Sequence, residues 1–228
     1  MPEQKMGMGI QMAEKVGDKV GAVMVVGGGV AGIQASLDLA ESGYYVYLVE
    51  SSPAIGGVMA QLDKTFPTND CSMCILSPKL VECGRHLNIE LLTLSEVVNV
   101  SGTQGNFQVR VIQHPRYVDP SKCIACGLCA EKCPTKVDSA YEEGLSKRKA
   151  IYIKYAQAVP LKYAIDPAHC LYLQKGKCRV CEKICTAKAI NFEDKDKERI
   201  IPVGSIPRHP ARPAHGLLPR ASFGAILW

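Results

Sequence analysis

A single run of cysteines limits what this chain can become: Cys123-Ile-Ala-Cys126-Gly-Leu-Cys129-Ala-Glu-Lys-Cys133-Pro134, or C-x2-C-x2-C-x3-C-P. Runs with this spacing hold [4Fe–4S] clusters, with the fourth cysteine serving a second cluster. Three thiolates two residues apart can wrap one face of a cubane, while a proline-enforced turn aims the fourth elsewhere. That geometry predicts a partner run, and Cys170, Cys178, Cys181 and Cys185 supply one, reading C-x7-C-x2-C-x3-C-T. The expected sets are Cys123, Cys126, Cys129 and Cys185 for one cluster, and Cys170, Cys178, Cys181 and Cys133 for the other. The partner run is looser in its first spacing and carries Thr186 where proline is usual. Two other uses of cysteine compete. Paired C-x2-C units can build a four-cysteine zinc site, but such sites seldom run x2, x2, x3 and finish on Cys-Pro. A disulfide framework suits a small secreted domain, and no secretion signal supports one.

The 228 residues can hold one or two domains with cores of their own. The hydrophobic fraction of 47% and charged fraction of 21% exclude wholesale disorder. Of the net charge of +5, Arg208, Arg212 and Arg220 contribute three, because residues 201–228 contain no acid. Loaded clusters would add about −2 each, so the basic balance is no argument for nucleic acid. Eleven cysteines in this arrangement point to a reducing compartment, hence the cytoplasm. The uncharged stretch from Val20 to Leu37 is broken by glycines and has no A-x-A cleavage pattern, so neither a signal peptide nor a membrane span is expected.

Residues 1–20 read as a loose arm or a short helix. Ala22-Val-Met-Val-Val26 is apolar throughout, as a buried parallel strand is. Then come G-x-G-x-x-G at Gly27, Gly29 and Gly32, a helical pattern from Ile33 to Glu41 stopped by Gly43, and a strand from Tyr45 to Val49 that ends on Glu50. Strand, glycines, helix and a following acid form the context of a dinucleotide fingerprint. Gly27 permits the tight turn, Gly29 lets backbone approach a pyrophosphate, and Gly32 lets helix and strand pack closely. The helix N-terminus faces the phosphates, and Glu50 is placed to accept from a ribose diol. The bland alternative is a tight βα turn with no ligand.

The next segment does not follow from a plain nucleotide fold. Cys71, Cys74 and Cys83 form C-x2-C-x8-C. Three readings stay open: a further [4Fe–4S] cluster completed by His86 or by a ligand from elsewhere, a redox dithiol at Cys71 and Cys74, or three buried small side chains. Strand-like alternation follows at 89–92, 96–100 and 107–112, with Gly102 and Gly105-Asn106 turning a hairpin. A unit carrying both cluster runs spans about 116–192, and Ala150 to Tyr155 is a strand or linker between them. The two runs form a weak internal repeat.

Residues 201–228 change character: Pro202, Pro207, Pro210, Pro213 and Pro219 sit among arginines with no apolar period. Such a stretch is not expected to join a sheet or pack a core. It reads as a basic tail, or as the truncated or frame-shifted end of a longer reading frame.

Two resemblances follow. Gly27, Gly29, Gly32, Gly43, Glu50, Gly56 and Gly57 resemble the extended fingerprint of flavoproteins of the two-dinucleotide-fold superfamily, with Ser36 where alanine is usual, which implies FAD rather than NAD. With Asn69-Asp-Cys-Ser-Met-Cys-Ile-Leu-Ser-Pro-Lys-Leu80 and the 123–185 cysteines, about residues 22–203 resemble the iron–sulfur flavoprotein subunit of heterodisulfide reductase, a protein of methanogens with relatives in sulfate reducers. The resemblance implies an α/β fold: an FAD-binding Rossmann-like (thioredoxin-reductase-like) half-domain with an inserted α+β two-cluster ferredoxin domain. The division expected is an arm at 1–20, the first part of the FAD domain at 21–115, the ferredoxin-like domain at 116–192, and a return segment with the Pro/Arg tail at 193–228. The resemblance further implies electron transfer from a hydrogenase or ferredoxin to partner subunits, with the electrons split at the flavin, in anaerobic metabolism. Two alternatives are a ferredoxin-type carrier whose nucleotide fold only docks a partner, and a fragment without a complete flavin site. A pyridine-nucleotide-dependent reductase component would need a second G-x-G-x-x-G, which the chain lacks.

Overall fold

A computed structural model describes residues 15, 16 and 19–207. A two-residue pair, β1 (Lys15–Val16) and β2 (Lys19–Val20), precedes the main sheet. The rest of the expected arm, and the proline-arginine stretch from 208 onward, lie outside the described residues.

Three parallel strands form the centre: β3 (Ala22–Val26), β4 (Tyr45–Glu50) and β5 (Ile89–Thr93), in the order β3-β4-β5. Each crossover carries a helix, α1 (Val30–Glu41) between β3 and β4, and α2 (Ser72–Arg85) between β4 and β5. This is one wing of the doubly wound nucleotide-binding sheet. The strands are buried on both faces because alternate residues feed different layers. Val23, Val25, Val46 and Leu48 pack with Ile33 and Leu37 of α1 and Leu76 and Leu80 of α2. Ala22, Met24, Val49 and Leu92 pack instead against an antiparallel layer. Each such large apolar side chain stabilises the fold by about 1.5–3 kcal/mol relative to exposure.

That layer is β6 (Ser95–Thr103), β7 (Asn106–Gln113) and β12 (Lys197–Val203), in the order β12-β7-β6. β6 and β7 form the expected hairpin. β12 corrects the expectation that residues beyond 200 would neither join a sheet nor pack a core. Ile201 and Val203 are buried against Val109 and Val111, and Pro202 is tolerated because β12 is an edge strand. The chain then crosses to β3, where Gly204 N–H donates to Ala22 O (2.8 Å) and Met24 N–H donates to Ser205 O (3.0 Å). A Cβ on Gly204 would collide with the Val20 carbonyl, so the crossing needs glycine.

The segment between β7 and β12 builds a separate small core around Val118, Ile151, Ile165 and Ala189. It contains α3 (Leu128–Glu131), the pair β8 (Lys136–Asp138) and β9 (Lys147–Lys149), the pair β10 (Ile151–Tyr152) and β11 (Ala164–Ile165), then α4 (Leu171–Lys175) and α5 (Val180–Ile184). Ala150 to Tyr155 is a strand only at β10. Beyond it the chain leaves this core and runs against the nucleotide-binding layer.

Candidate cofactor sites

The glycine loop leaves β3 through Gly27, whose φ of +104° suits glycine, and its N–H donates to Val49 O (2.8 Å). Gly29 caps α1, and a Cβ there would meet nothing within 4 Å, which is the open approach a pyrophosphate needs. Gly32 is the opposite case: a Cβ would strike the Gly27 carbonyl, so close packing of turn and helix requires glycine. The first turn of α1 holds no acid, leaving its free N–H groups to an anion. Gly56 and Gly57 lie on this loop. Gly56 N–H donates to Gly28 O (2.6 Å), and a Cβ on Gly57 would stand 2.8 Å from Gly29 Cα. Ser36 fits where alanine is usual because its buried hydroxyl donates to Gly32 O (2.7 Å).

Glu50 binds protein before it binds any ribose. Its Oε2 accepts from Gly28 N–H (2.7 Å) and its Oε1 from Ser52 N–H (2.9 Å). A carboxylate has about four acceptor positions, so each oxygen keeps a lone pair for a diol. Gly28, absent from the predicted residues, is as constrained as its neighbours, since a Cβ would meet Ile55 Cγ2 at 2.6 Å. The middle glycine of Gly27-Gly28-Gly29 was a visible signal for it. Lys154 and Tyr155 had no local signal. Lys154 Nζ donates to Ser52 Oγ (2.8 Å), and the Tyr155 hydroxyl donates to Ile55 O. Burial lowers the Lys154 pKa, and the nearby Glu50 charge opposes that shift.

The eight cysteines of the two runs line two pockets in the small core. Cys123, Cys126, Cys129 and Cys185 line one, with Val118 and Tyr163. Cys133, Cys170, Cys178 and Cys181 line the other, with Pro134 and Ile151. Each run thus contributes three cysteines to one pocket and one to the other, which is the expected exchange. The runs are also built alike. A left-handed residue, Gly127 (φ +88°) or Arg179 (φ +68°), precedes each short helix and places Cys129 or Cys181 two residues on. Burial first, with further contributions from neighbouring cysteines, pushes the Cys129 and Cys181 thiols up to about 12. Four crowded thiols resist ionising together unless a cation joins them. Among the described residues no three Cys, His, Asp or Glu side chains gather as a single-ion site would require. Sulfurs spread around a pocket suit a multi-atom cluster. Ala189 N–H already points at Cys185 Sγ (3.3 Å), and Lys162 and Lys149 donate through Nζ to the Cys123 (2.6 Å) and Cys133 (2.5 Å) carbonyls.

Cys71, Cys74 and Cys83 are not brought together. Cys71 caps α2, Cys74 lies in its first turn and the two are disulfide-bonded, both exposed. Cys83 lies nine residues further along the same helix, about 13 Å by helical rise, with its side chain fully buried in the apolar layer. Burial pushes its thiol up to about 12. His86 follows the helix and accepts from Asn88 N–H through Nδ1 (3.1 Å).

The fold and the sites join a nucleotide-binding layer of the FAD-dependent oxidoreductase class to a ferredoxin-type unit. Residues 22–71 match the FAD dependent oxidoreductase family, and residues 116–137 match the 4Fe-4S binding domain. More particularly, most of the chain is similar to part of the iron-sulfur subunit of heterodisulfide reductases. The CoB–CoM heterodisulfide reductase iron-sulfur subunit of Methanocaldococcus jannaschii is 52% identical over 183 residues, covering 80% of this chain and 27% of its own length. The matching subunit of the H(2)/formate:CoB-CoM heterodisulfide,ferredoxin reductase of Methanococcus maripaludis is 49% identical, covering 85% and 29%. A heterodisulfide reductase subunit-like protein of Archaeoglobus profundus is 47% identical, covering 90% and 29%. The chain therefore spans a little over a quarter of the length of these relatives. Among solved structures, thioredoxin reductase of Lactococcus lactis is 23% identical at a TM-score of 0.33, covering 39% of this chain and 29% of its own.

Proposed function

We propose that the chain is an FAD- and [4Fe–4S]-containing electron-transfer part of a heterodisulfide-reductase-like complex, carrying two clusters in its 116–192 unit. The observation that carries this reading is the exchange of Cys133 and Cys185 between two cysteine-lined pockets, on the same chain as a glycine loop whose open side suits a pyrophosphate. Bound there, a flavin would supply paired and single electron transfers, and the clusters single ones. The protein's own residues bind and orient. Gly27 to Gly32 and the N-terminus of α1 hold the diphosphate, and Glu50 the ribose. Gly56 and Gly57 set the loop's shape. The cysteines place the clusters, while Lys149 and Lys162 brace the backbone at Cys133 and Cys123. The partners proposed are other subunits of that complex and an electron donor such as a hydrogenase or ferredoxin, in the cytoplasm. No helix among the described residues is long and apolar enough to cross a membrane.

For the third cysteine group, the bonded pair at Cys71 and Cys74 and the burial of Cys83 favour a dithiol and a core residue over a third cluster. Iron, sulfide and flavin measured on anaerobically purified protein test both statements. The expected result is about eight irons, at roughly four per cluster, with one FAD. About twelve irons would restore the third cluster. Iron without flavin would favour the simple carrier, and zinc in place of iron would sink the reading.

A further inference from the structure

Arg116 is 8% exposed and forms no ion pair with any carboxylate among the described residues. Its Nη2 donates to Pro53 O (2.6 Å) and Thr93 Oγ1 (2.8 Å), both in the nucleotide-binding part, and Nη1 makes a longer contact to Lys162 O (3.4 Å) in the cluster unit. Only neutral oxygens therefore surround a buried cation. Removing an unpaired charge from water costs several kcal/mol, and dipoles offset that only in part. One cysteine pocket is tied to the same contacts. Lys162 carries its own ammonium to the Cys123 carbonyl, and Val118, two residues after Arg116, lines the pocket of Cys123, Cys126, Cys129 and Cys185. Burial lowers the Arg116 pKa, opposed first by Tyr152 and then by Cys123, the one cysteine that acts on it. Among the described residues the second pocket has no equivalent buried arginine. Its nearby arginines are neutralised locally, Arg148 by Asp166 (2.6 Å) and Arg179 by Glu182 (2.6 Å). The lysines on Cys123 and Cys133 match one another and so cancel in the comparison.

We propose that Arg116 is a positioning residue that clamps the cluster unit onto the nucleotide-binding layer and, as a fixed unpaired cation, holds the Cys123-Cys126-Cys129-Cys185 cluster at a more positive potential than its neighbour. The inference rests on the two-cluster reading above. The step it governs adds one electron to a [4Fe–4S] core, taking the site from about −2 to about −3 with no bond made or broken. A nearby fixed cation favours the more negative state.

The test is an anaerobic titration with dithionite as reductant, followed by electron paramagnetic resonance. In the unmodified chain two separate one-electron couples are expected. The more positive should belong to the signal that Cys126→Ser alters; equal potentials or the reverse order overturn the proposal. In Arg116→Gln, which keeps amide donors but loses the charge, that couple alone should move down, and Arg116→Lys should restore it. Thr93→Val, which removes one partner and keeps the charge, should loosen docking without moving either couple. Two loaded clusters with unshifted couples in Arg116→Gln would refute the inference while leaving the function intact. Failure of the unmodified chain to load eight irons would refute the function itself. If Arg116→Gln does not load, the order of the two couples in the unmodified chain still decides.

Discussion

Gly29 and Gly32 are chemically identical and three residues apart, yet their surroundings give them different duties. A Cβ on Gly32 collides with the backbone of its own turn, so Gly32→Ala should destabilise the fold by about 1–3 kcal/mol, the usual cost of overpacking. A Cβ on Gly29 meets no protein atom, so Gly29→Ala should leave the melting temperature almost unchanged and weaken FAD binding. Thermal melts of the apoprotein and flavin titration of the two variants separate these outcomes. Cys83 belongs with Gly32 as a packing residue. Cys83→Ala should leave the iron content as it is and cost stability through lost burial, which chemical denaturation with an iron assay checks.

Among the elements, α2 was the least legible. Pro78 sits in its interior, where it removes a hydrogen bond and crowds the carbonyl four residues back. Leu76, Leu80 and Cys83 nevertheless fall on one face and pack beneath the sheet, and that burial overrides the local signal. The segment after β10 was obscured differently: Tyr155 reads as one more strand residue, but its hydroxyl reaches Ile55 O and Val159 O accepts from Ile55 N–H (2.9 Å). Tyr155→Phe should therefore cost about 1–2 kcal/mol, since a carbonyl loses its donor, and should raise protease sensitivity between the two parts. His114, just after β7, ties two elements together by contacting Glu96 of β6 (3.2 Å) and Asp196 before β12 (2.8 Å). Its bond to Asp196, opposed by burial and helped by Glu96, raises its pKa above the ordinary 6.5. Its contribution is thus fully present below about pH 6.5 and is lost as pH rises through the raised value. The side chain is 45% exposed, so the effect should be about 1 kcal/mol or less. Denaturant midpoints measured between pH 5.5 and 8.5 should fall with pH in the parent and stay flat in His114→Gln.

Across the whole molecule, the exchange of cysteines makes the two cysteine-lined pockets, the proposed cluster sites, interdependent in folding yet separable by mutation. Cys185→Ser should perturb the cluster held by Cys123, Cys126 and Cys129, and Cys133→Ser the one held by Cys170, Cys178 and Cys181. Each variant should retain about four well-held irons of the eight. Iron analysis with electron paramagnetic resonance reads this, and loss of the same signal in both variants would break the assignment. Spacing along the chain was enough to specify the cysteine runs, the glycine loop with its acid, and the two-faced apolar strands, because ligand reach and side-chain alternation are local properties. Distant partners settled the rest. Folding seated Gly56 and Gly57 on the glycine loop, turned 197–203 into an edge strand, separated Cys83 from Cys71 and Cys74 along a rigid helix, and buried Arg116 between the two parts without a carboxylate among the described residues. Those outcomes come from packing and charge across long sequence separations, which leave no periodic trace in the residues themselves.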